Sequence, residues 1–153
     1  MTTPAVFTQF GQTLAFAERT LTAVLRKHLA ECDTTPETWY VFQLVSSRGP
    51  DFSRAALITD LAGSRSLDAA SARDLLARLE AEGLVSGDTH VELTAKGDEL
   101  YQTLREHVFA GTARLLGQFD IRDIETTVRT VRAITQRAAE EQAAEEQLAA
   151  TDR

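Results

Sequence analysis

Residues 57–97 read LITDLAGSRSLDAASARDLLARLEAEGLVSGDTHVELTAKG, and this stretch decides the predicted fold. Apolar residues at its start predict a short helix, which a polar break at residues 63–66 ends. Asp68 is placed to cap a second helix, and Gly83 is placed to end it in the left-handed conformation. The inward side of this second helix consists of Leu75, Leu76 and Leu79.

Two short segments of alternating polarity follow, at residues 84–86 and 89–93. Gly87-Asp88 lies between them, and this pair is typical of a tight hairpin turn. Helix, turn, helix and hairpin in this order predict a winged helix-turn-helix. The function therefore depends on what this unit can touch.

The composition fits one globular domain, because 43% of the 153 residues are apolar and 25% are charged. A single cysteine, Cys32, excludes an internal disulfide framework, and the start of the chain lacks a basic-then-apolar leader. We therefore expect a cytoplasmic protein with no membrane role.

The net charge of −7 argues against non-specific coating of nucleic acid. Gly-rich phosphate loops and nucleophile signatures are missing, so neither an enzyme nor a cofactor is predicted.

Helical regions flank the central unit on both sides. Residues 4–30 predict a long helix with an apolar seam of three and four spacing, as in helices that dimerise. The seam consists of Phe7, Phe10, Leu14, Ala17, Leu21 and Val24. A capping box at residues 34–37 begins a second, nearly buried helix, which ends at Gly49-Pro50, and Ser53 can cap the third.

Thr94 is placed to cap a fifth helix and Asp120 a sixth. Their inward residues are predicted to be Leu100, Leu104, Val108, Leu115 and Leu116, then Ile124, Val128, Val131 and Ile134. Beyond Arg137 we expect a solvated helix that frays. The predicted fold is mainly α with a small β-hairpin: a winged helix-turn-helix part at 34–97, and a helical dimerisation part at 4–30 and 98–148.

Four segments resemble the MarR family of winged-helix transcription regulators. They are Pro36 to Leu44 (PETWYVFQL), Asp60-Leu61-Ala62, LLARLEAEGLV at 75–85 and VELTAKGDEL at 91–100. The resemblance covers residues 1–153 as a single MarR-like domain. It implies that the first, fifth and sixth helices of two subunits intertwine, that the fourth helix enters the major groove and that the wing lies along the minor groove. It also implies release of DNA by a small aromatic or phenolic ligand.

The resemblance places the DNA contacts on the fourth helix and the wing. The candidates are Arg65, Ala69, Ala70, Ser71, Arg73, Asp74, Arg78 and His90. Base reading falls mainly to Arg73, since bidentate donors discriminate best, and Asp74 with Arg78 could form an intrahelical pair. Residues 48–96 hold six positive and eight negative side chains, and the wing loop lacks the family's basic tip. Weak or narrowly specific DNA binding is therefore expected.

The sequence also offers candidates for an effector cleft and for a metal site. Phe16, Trp39 and Phe42 are candidates for lining an effector cleft, although aromatics at helical spacing also fit a plain core. His28 and Cys32 share a helix face and could begin a metal site, but Glu31, Asp33 or His107 would have to complete it. The sequence alone therefore predicts no metal.

The leading hypothesis is a homodimeric repressor that binds double-stranded DNA at a palindromic operator, with half-sites about 34–36 Å apart. The alternative is a winged-helix protein-interaction or ligand-binding module that has lost tight DNA binding. The acidic balance and the short wing motivate this alternative.

Overall fold

The computed structural model describes residues 3–64 and 67–151, and at residue 64 the backbone alone. The elements are α1 (Ala5–Ala30), α2 (Pro36–Arg48), α3 (Arg54–Ser64), α4 (Ala69–Ala81), β1 (Val85–Ser86), β2 (Glu92–Leu93), α5 (Ala95–Leu116) and α6 (Ile121–Thr151). Helix therefore dominates, with one two-stranded hairpin, as the sequence predicted. Within this described part, none of the helices is both long and apolar enough to cross a bilayer. The chain forms two compact units, Met1–Phe109 and Ala110–Arg153.

Local capping defines where α2 and α3 begin. The Thr35 hydroxyl accepts a hydrogen bond from the backbone N–H of Thr38 at 3.3 Å, and Ser53 accepts one from Ala56 at 3.1 Å. The capping box predicted at residues 34–37 is wrong by one residue, because Thr34 instead donates to the Cys32 carbonyl. The end of α2 at Gly49 is confirmed, with a φ of 78° that favours glycine.

The core of the first unit lies under α2, α3, α4 and α5. Its fully buried residues are Leu29, Val41, Phe42, Leu57, Leu61, Ala72, Leu76, Leu79, Leu104 and Val91. Trp39 and Phe42 of α2 both pack against Tyr101 of α5, with ring centroids 5.5 and 6.0 Å apart. These tilted and edge-on ring contacts lock α5 against the helix-turn-helix.

The β-hairpin differs from the predicted tight turn. Val85 pairs with Leu93 and Ser86 with Glu92, so the connecting loop spans residues 87–91. Residues 89 and 90 do not extend the second strand because they pair elsewhere. Thr89 accepts a hydrogen bond from the backbone N–H of Arg54 at 2.8 Å, and His90 forms a β-bridge with Ser53. The wing is thus tied to the start of α3.

Close backbone approach fixes the junction between the wing and α5. A Cβ at Gly97 would lie 1.9 Å from the Leu84 carbonyl oxygen, so only glycine fits there. Thr94 caps α5 as predicted, since its hydroxyl accepts from the Gly97 N–H at 3.0 Å. The same hydroxyl donates to the Gly83 carbonyl at 2.6 Å, which joins the end of α4 to the start of α5.

In the second unit, α6 begins at the predicted cap. Asp120 accepts a hydrogen bond from the backbone N–H of Arg122 at 2.9 Å. Among its described residues α6 buries none, and its apolar face is half-exposed or exposed. The solvated helix predicted beyond Arg137 is confirmed, because α6 continues to Thr151 with exposed residues, and its fraying into the terminus stays a prediction. Alanine and glutamate favour helix, and an Arg137–Glu141 pair at 3.0 Å adds support along the exposed surface.

Candidate nucleic-acid interface

The helix α4 has one buried face and one open face. Asp68 caps its N-terminus by accepting from the Ser71 N–H at 2.7 Å, and this hydrogen bond lowers the pKa of the Asp68 carboxyl. The predicted N-cap role of Asp68 is therefore confirmed. The buried face consists of Ala72, Leu75, Leu76 and Leu79. Because a 3.6-residue period puts these on one side, the other side is available to a ligand.

Most of the predicted DNA-contacting residues lie on the open face. Ala70, Ser71, Arg73, Asp74 and Arg78 are exposed, and Ala69 is half-buried. His90 is exposed in the wing loop, with its backbone bridged to Ser53. Arg65 lies outside the described residues. The helix thus presents a small, polar surface with two guanidinium groups and little bulk between them.

The described cations of residues 48–96 fall into two groups. Arg48 pairs with Asp60 at 3.3 Å, Arg54 pairs with Glu80, and Lys96 donates to the Glu82 carbonyl at 2.9 Å. These three positive charges are used within the fold. On the open face of α4, by contrast, the described residues offer Arg73 and Arg78 no ion-pair partner.

The Asp74–Arg78 pair that the spacing suggested is therefore not formed among the described residues. Both side chains instead line a groove of about 410 Å³ beside the open face. The groove is lined by Thr35, Glu37, Leu67, Ser71, Asp74, Leu75 and Arg78. Because Arg78 is uncommitted there, its guanidinium can turn towards phosphate without breaking an internal contact.

Arg54 is a residue whose importance the sequence did not reveal. Its guanidinium pairs with Glu80 of α4 and also donates to the Gly87 carbonyl of the wing loop at 3.1 Å. One side chain thereby connects α4, the start of α3 and the wing. Its position as the first residue after a predicted cap is typical of a surface residue. The contacts follow from tertiary placement, which periodicity does not report.

The predicted effector residues do not form one cluster. Trp39 and Phe42 are 3% and 0% exposed and belong to the core, whereas Phe16 is 66% exposed on α1, with the Arg19 guanidinium 6.0 Å from its ring centroid. Of the two interpretations left open for these aromatics, the core packing describes Trp39 and Phe42. Their role in ligand binding stays a prediction.

No family model and no curated protein matches the chain. Solved structures do match. A MarR family protein from Bacillus stearothermophilus aligns with a TM-score of 0.73 and 20% identity, over 91% of this chain and 99% of that one. Staphylococcus aureus MarR in complex with salicylate and kanamycin aligns with a TM-score of 0.73 and 16% identity, over 90% and 95%.

CouR from Rhodococcus jostii RHA1, bound to p-coumaroyl-CoA, aligns with a TM-score of 0.68 and 18% identity, over 86% of this chain and 95% of that one. All three alignments span most of both chains, so they include the flanking helices as well as the winged unit. The sequence resemblance is confirmed at the level of the fold. The chain has the winged helix-turn-helix fold of the MarR family of transcription regulators.

Proposed function

We propose that the protein is a homodimeric transcription regulator that binds double-stranded DNA and represses from a palindromic operator. The observation that carries the proposal is the open face of α4, where Arg73 and Arg78 are exposed and uncommitted above a fully apolar inner face. A helix of this kind fits the major groove, where arginine reads guanine by two parallel hydrogen bonds. The fold shared with MarR family regulators supports the same proposal.

The charge distribution bounds the affinity. Three of the positive side chains around α4 are used internally, so among the described residues the electrostatic part of binding rests mainly on Arg73 and Arg78. Two such side chains in each subunit of a dimer give four contacts. If all four meet phosphate, the logarithm of the affinity falls with the logarithm of salt concentration at a slope of about −3 to −4.

Exposed apolar surface supports the dimer. On α1 the predicted seam is largely uncovered, with Phe7 68% and Leu21 52% exposed. On α6 Val128 and Ile134 are both exposed as well. Rows of exposed large apolar side chains along a helix mark an interaction site, and each of the two helices carries such a row. We propose that a second copy of this chain buries these apolar side chains, because a twofold dimer can present two copies of α4 to adjacent half-sites.

The DNA proposal is tested by fluorescence anisotropy with duplex DNA from upstream of the protein's own coding region, titrated with salt. The Arg73→Ala variant is expected to lose about 1–3 kcal/mol of binding free energy and to reduce the salt slope by about one for each contact removed. Arg137→Ala is the matched control, because it removes the same charge from an exposed pair on α6. Equal affinities for the two variants would overturn the assignment of α4.

The dimer is tested by sedimentation equilibrium. Leu21→Asp and Val128→Asp place a charge on the two exposed apolar faces and are expected to give monomers. Ala149→Asp adds the same charge to the exposed end of α6, outside the predicted dimerisation part, and is expected to leave the dimer intact. A wild-type protein that sediments as a monomer at micromolar concentration would contradict the proposal.

We further propose that a small aromatic or phenolic acid releases the DNA. Support comes from two structural neighbours, one in complex with salicylate and one bound to p-coumaroyl-CoA. Because Trp39 and Phe42 are buried against Tyr101, a ligand that reaches them must displace core contacts between α2 and α5. Quenching of the lone Trp39 by salicylate or p-coumarate measures this directly. No change in fluorescence or in DNA affinity would exclude these two ligands as effectors.

A second function is favoured by one observation. The exposed wing loop at residues 87–90 holds Asp88 and His90 but no arginine or lysine. A wing of this charge suits a protein partner better than a phosphate backbone. The same salt titration separates the two functions, because a protein-interaction module gives flat, negligible DNA binding. In that event the open face of α4 would be assigned to a protein partner.

A further inference from the structure

Three metal-ligating side chains from two helices converge in the first unit. His28 and Glu31 come from the end of α1, and His107 comes from the middle of α5. One ligand atom from each lies within 4.8 Å of the others. The Glu31 carboxylate is shared, with its Oε2 2.7 Å from His107 Nε2 and 3.7 Å from His28 Nδ1.

The environment of His28 indicates that the hydrogen-bond network is incomplete. Its Nδ1 is buried and has no hydrogen-bond partner among the described residues, and at 3.7 Å the carboxylate is too far to supply one. Buried polar atoms are nearly always satisfied, because leaving one unpaired costs about 1–3 kcal/mol. This nitrogen faces a carboxylate that already binds a second imidazole. A cation held between the three groups would satisfy it.

We propose that His28, Glu31 and His107 bind a zinc ion. Two imidazoles and one carboxylate are the ligands of many three-residue zinc sites, in which water takes the fourth position. Zinc bonds of about 2.0–2.2 Å place the ligand atoms of a tetrahedral site about 3.3 Å apart. The two distances to Glu31, 2.7 and 3.7 Å, lie on either side of this value. All three ligand atoms lie within 4.8 Å of one another, so rotation of the side chains is needed to bring them to this spacing.

The rings of His28 and His107 are in contact, edge to face, with centroids 5.7 Å apart. Cys32, which the sequence suggested as a partner for His28, does not belong to the cluster. The proposal therefore departs from the sequence prediction of no metal and uses a ligand set without Cys32.

Zinc at this position would fasten α1 to α5. His28 and Glu31 lie within the last turn of α1 and just after it, whereas His107 lies two residues before the end of the first unit. The ion would hold these two helices at one point whether or not the protein binds DNA. The inference is thus independent of the function proposed above.

The test is isothermal titration of the metal-stripped full chain with Zn²⁺. We expect one ion per chain with micromolar or tighter affinity. Glu31→Gln and His107→Gln keep the size of the side chains but weaken or remove a ligand. Each is expected to lower the zinc affinity roughly 100-fold, because mutating a residue that only supports a ligand already costs up to about 100-fold. His90→Gln is the matched control, because His90 is exposed in the wing and lies outside the cluster.

Co²⁺ gives a second readout, since a tetrahedral site of nitrogen and oxygen ligands produces an intense visible spectrum. The spectrum should appear in the wild type and in His90→Gln, and it should be lost in His107→Gln. Circular dichroism of the apo variants checks that they fold. Cys32→Ser should bind zinc normally. The proposal is overturned if zinc does not bind, if folded His107→Gln binds as the wild type does, or if Cys32→Ser abolishes binding.

Discussion

Arg54 is the side chain that couples the wing to α4, and its removal tests this coupling. In Arg54→Ala the ion pair with Glu80 and the hydrogen bond to the Gly87 carbonyl are lost together. The backbone hydrogen bond from the Arg54 N–H to Thr89 is kept, because it does not depend on the side chain. We therefore expect the fold to survive and the wing loop to loosen.

The expected loss of folding free energy in Arg54→Ala follows from the solvent exposure of the groups involved. The Arg54 and Glu80 side chains are 28% and 36% exposed, so solvent screens their attraction and the pair contributes about 0.5–1 kcal/mol. The hydrogen bond to the Gly87 carbonyl is exposed to solvent and adds about 0.5–1 kcal/mol. Together they predict that Arg54→Ala lowers the free energy of unfolding by about 1–2 kcal/mol. Arg137→Ala, which removes an exposed pair between successive turns of α6, should cost only about 0.3–0.5 kcal/mol.

Urea denaturation followed by Trp39 fluorescence measures the free energy of unfolding of the two variants. Both are measured at the same protein concentration, because the stability of a dimer depends on protein concentration. Amide hydrogen exchange gives the local readout: residues 87–90 should exchange faster in Arg54→Ala, with α4 still protected. The reasoning is refuted if the two variants are equally stable, or if exchange in residues 87–90 is unchanged. Either result would mean that backbone pairing alone holds the wing.

Three further predictions concern the winged unit. Leu76→Ala, in the fully buried face of α4, should lower the free energy of unfolding by about 2–5 kcal/mol in urea denaturation; a loss below 1 kcal/mol would contradict its core position. Gly97→Ala should destabilise the protein and shift the wing, since its Cβ would meet the Leu84 carbonyl; an unchanged melting temperature would disprove this close approach. The lowered pKa of Asp68 means that its cap stabilises the fold above the ordinary aspartate pKa and is lost as pH falls through the lower folded value. In Asp68→Asn this acid-dependent loss, measured by stability from neutral to acidic pH, should be smaller than in the wild type.

Local chemistry explains why the helices could be predicted. The caps at Ser53, Asp68, Thr94 and Asp120 each depend on a backbone N–H two or three residues away, so short sequence patterns contain all the information that they need. The spacing of apolar residues by three and four along α4 likewise predicts its buried face. Such features depend on neighbouring residues and need no contact with a distant part of the chain.

The wing could not be predicted in the same way. Gly87-Asp88 favours a tight turn locally, but the backbone of residues 89 and 90 pairs with Ser53 and Arg54 instead. These partners lie far earlier in the chain, and hydrogen bonding to them stabilises the longer loop. The Arg54 contacts to Glu80 and Gly87 are long-range for the same reason. Neither set of contacts leaves a periodic mark on the sequence.

The candidate interface illustrates a related difference between counting charges and locating them. Six positive and eight negative side chains in residues 48–96 suggest a repulsive surface for DNA. Internal pairing leaves the net charge of this region unchanged, because Asp60 and Glu80 pair with Arg48 and Arg54 one to one, but it determines which charges stay unpaired. The electrostatic field of α4 is then set by the groups left without such pairs, Arg73 and Arg78 among them. Affinity for DNA therefore follows from which charges the fold leaves uncommitted, and the net charge of the chain is a poor guide to it.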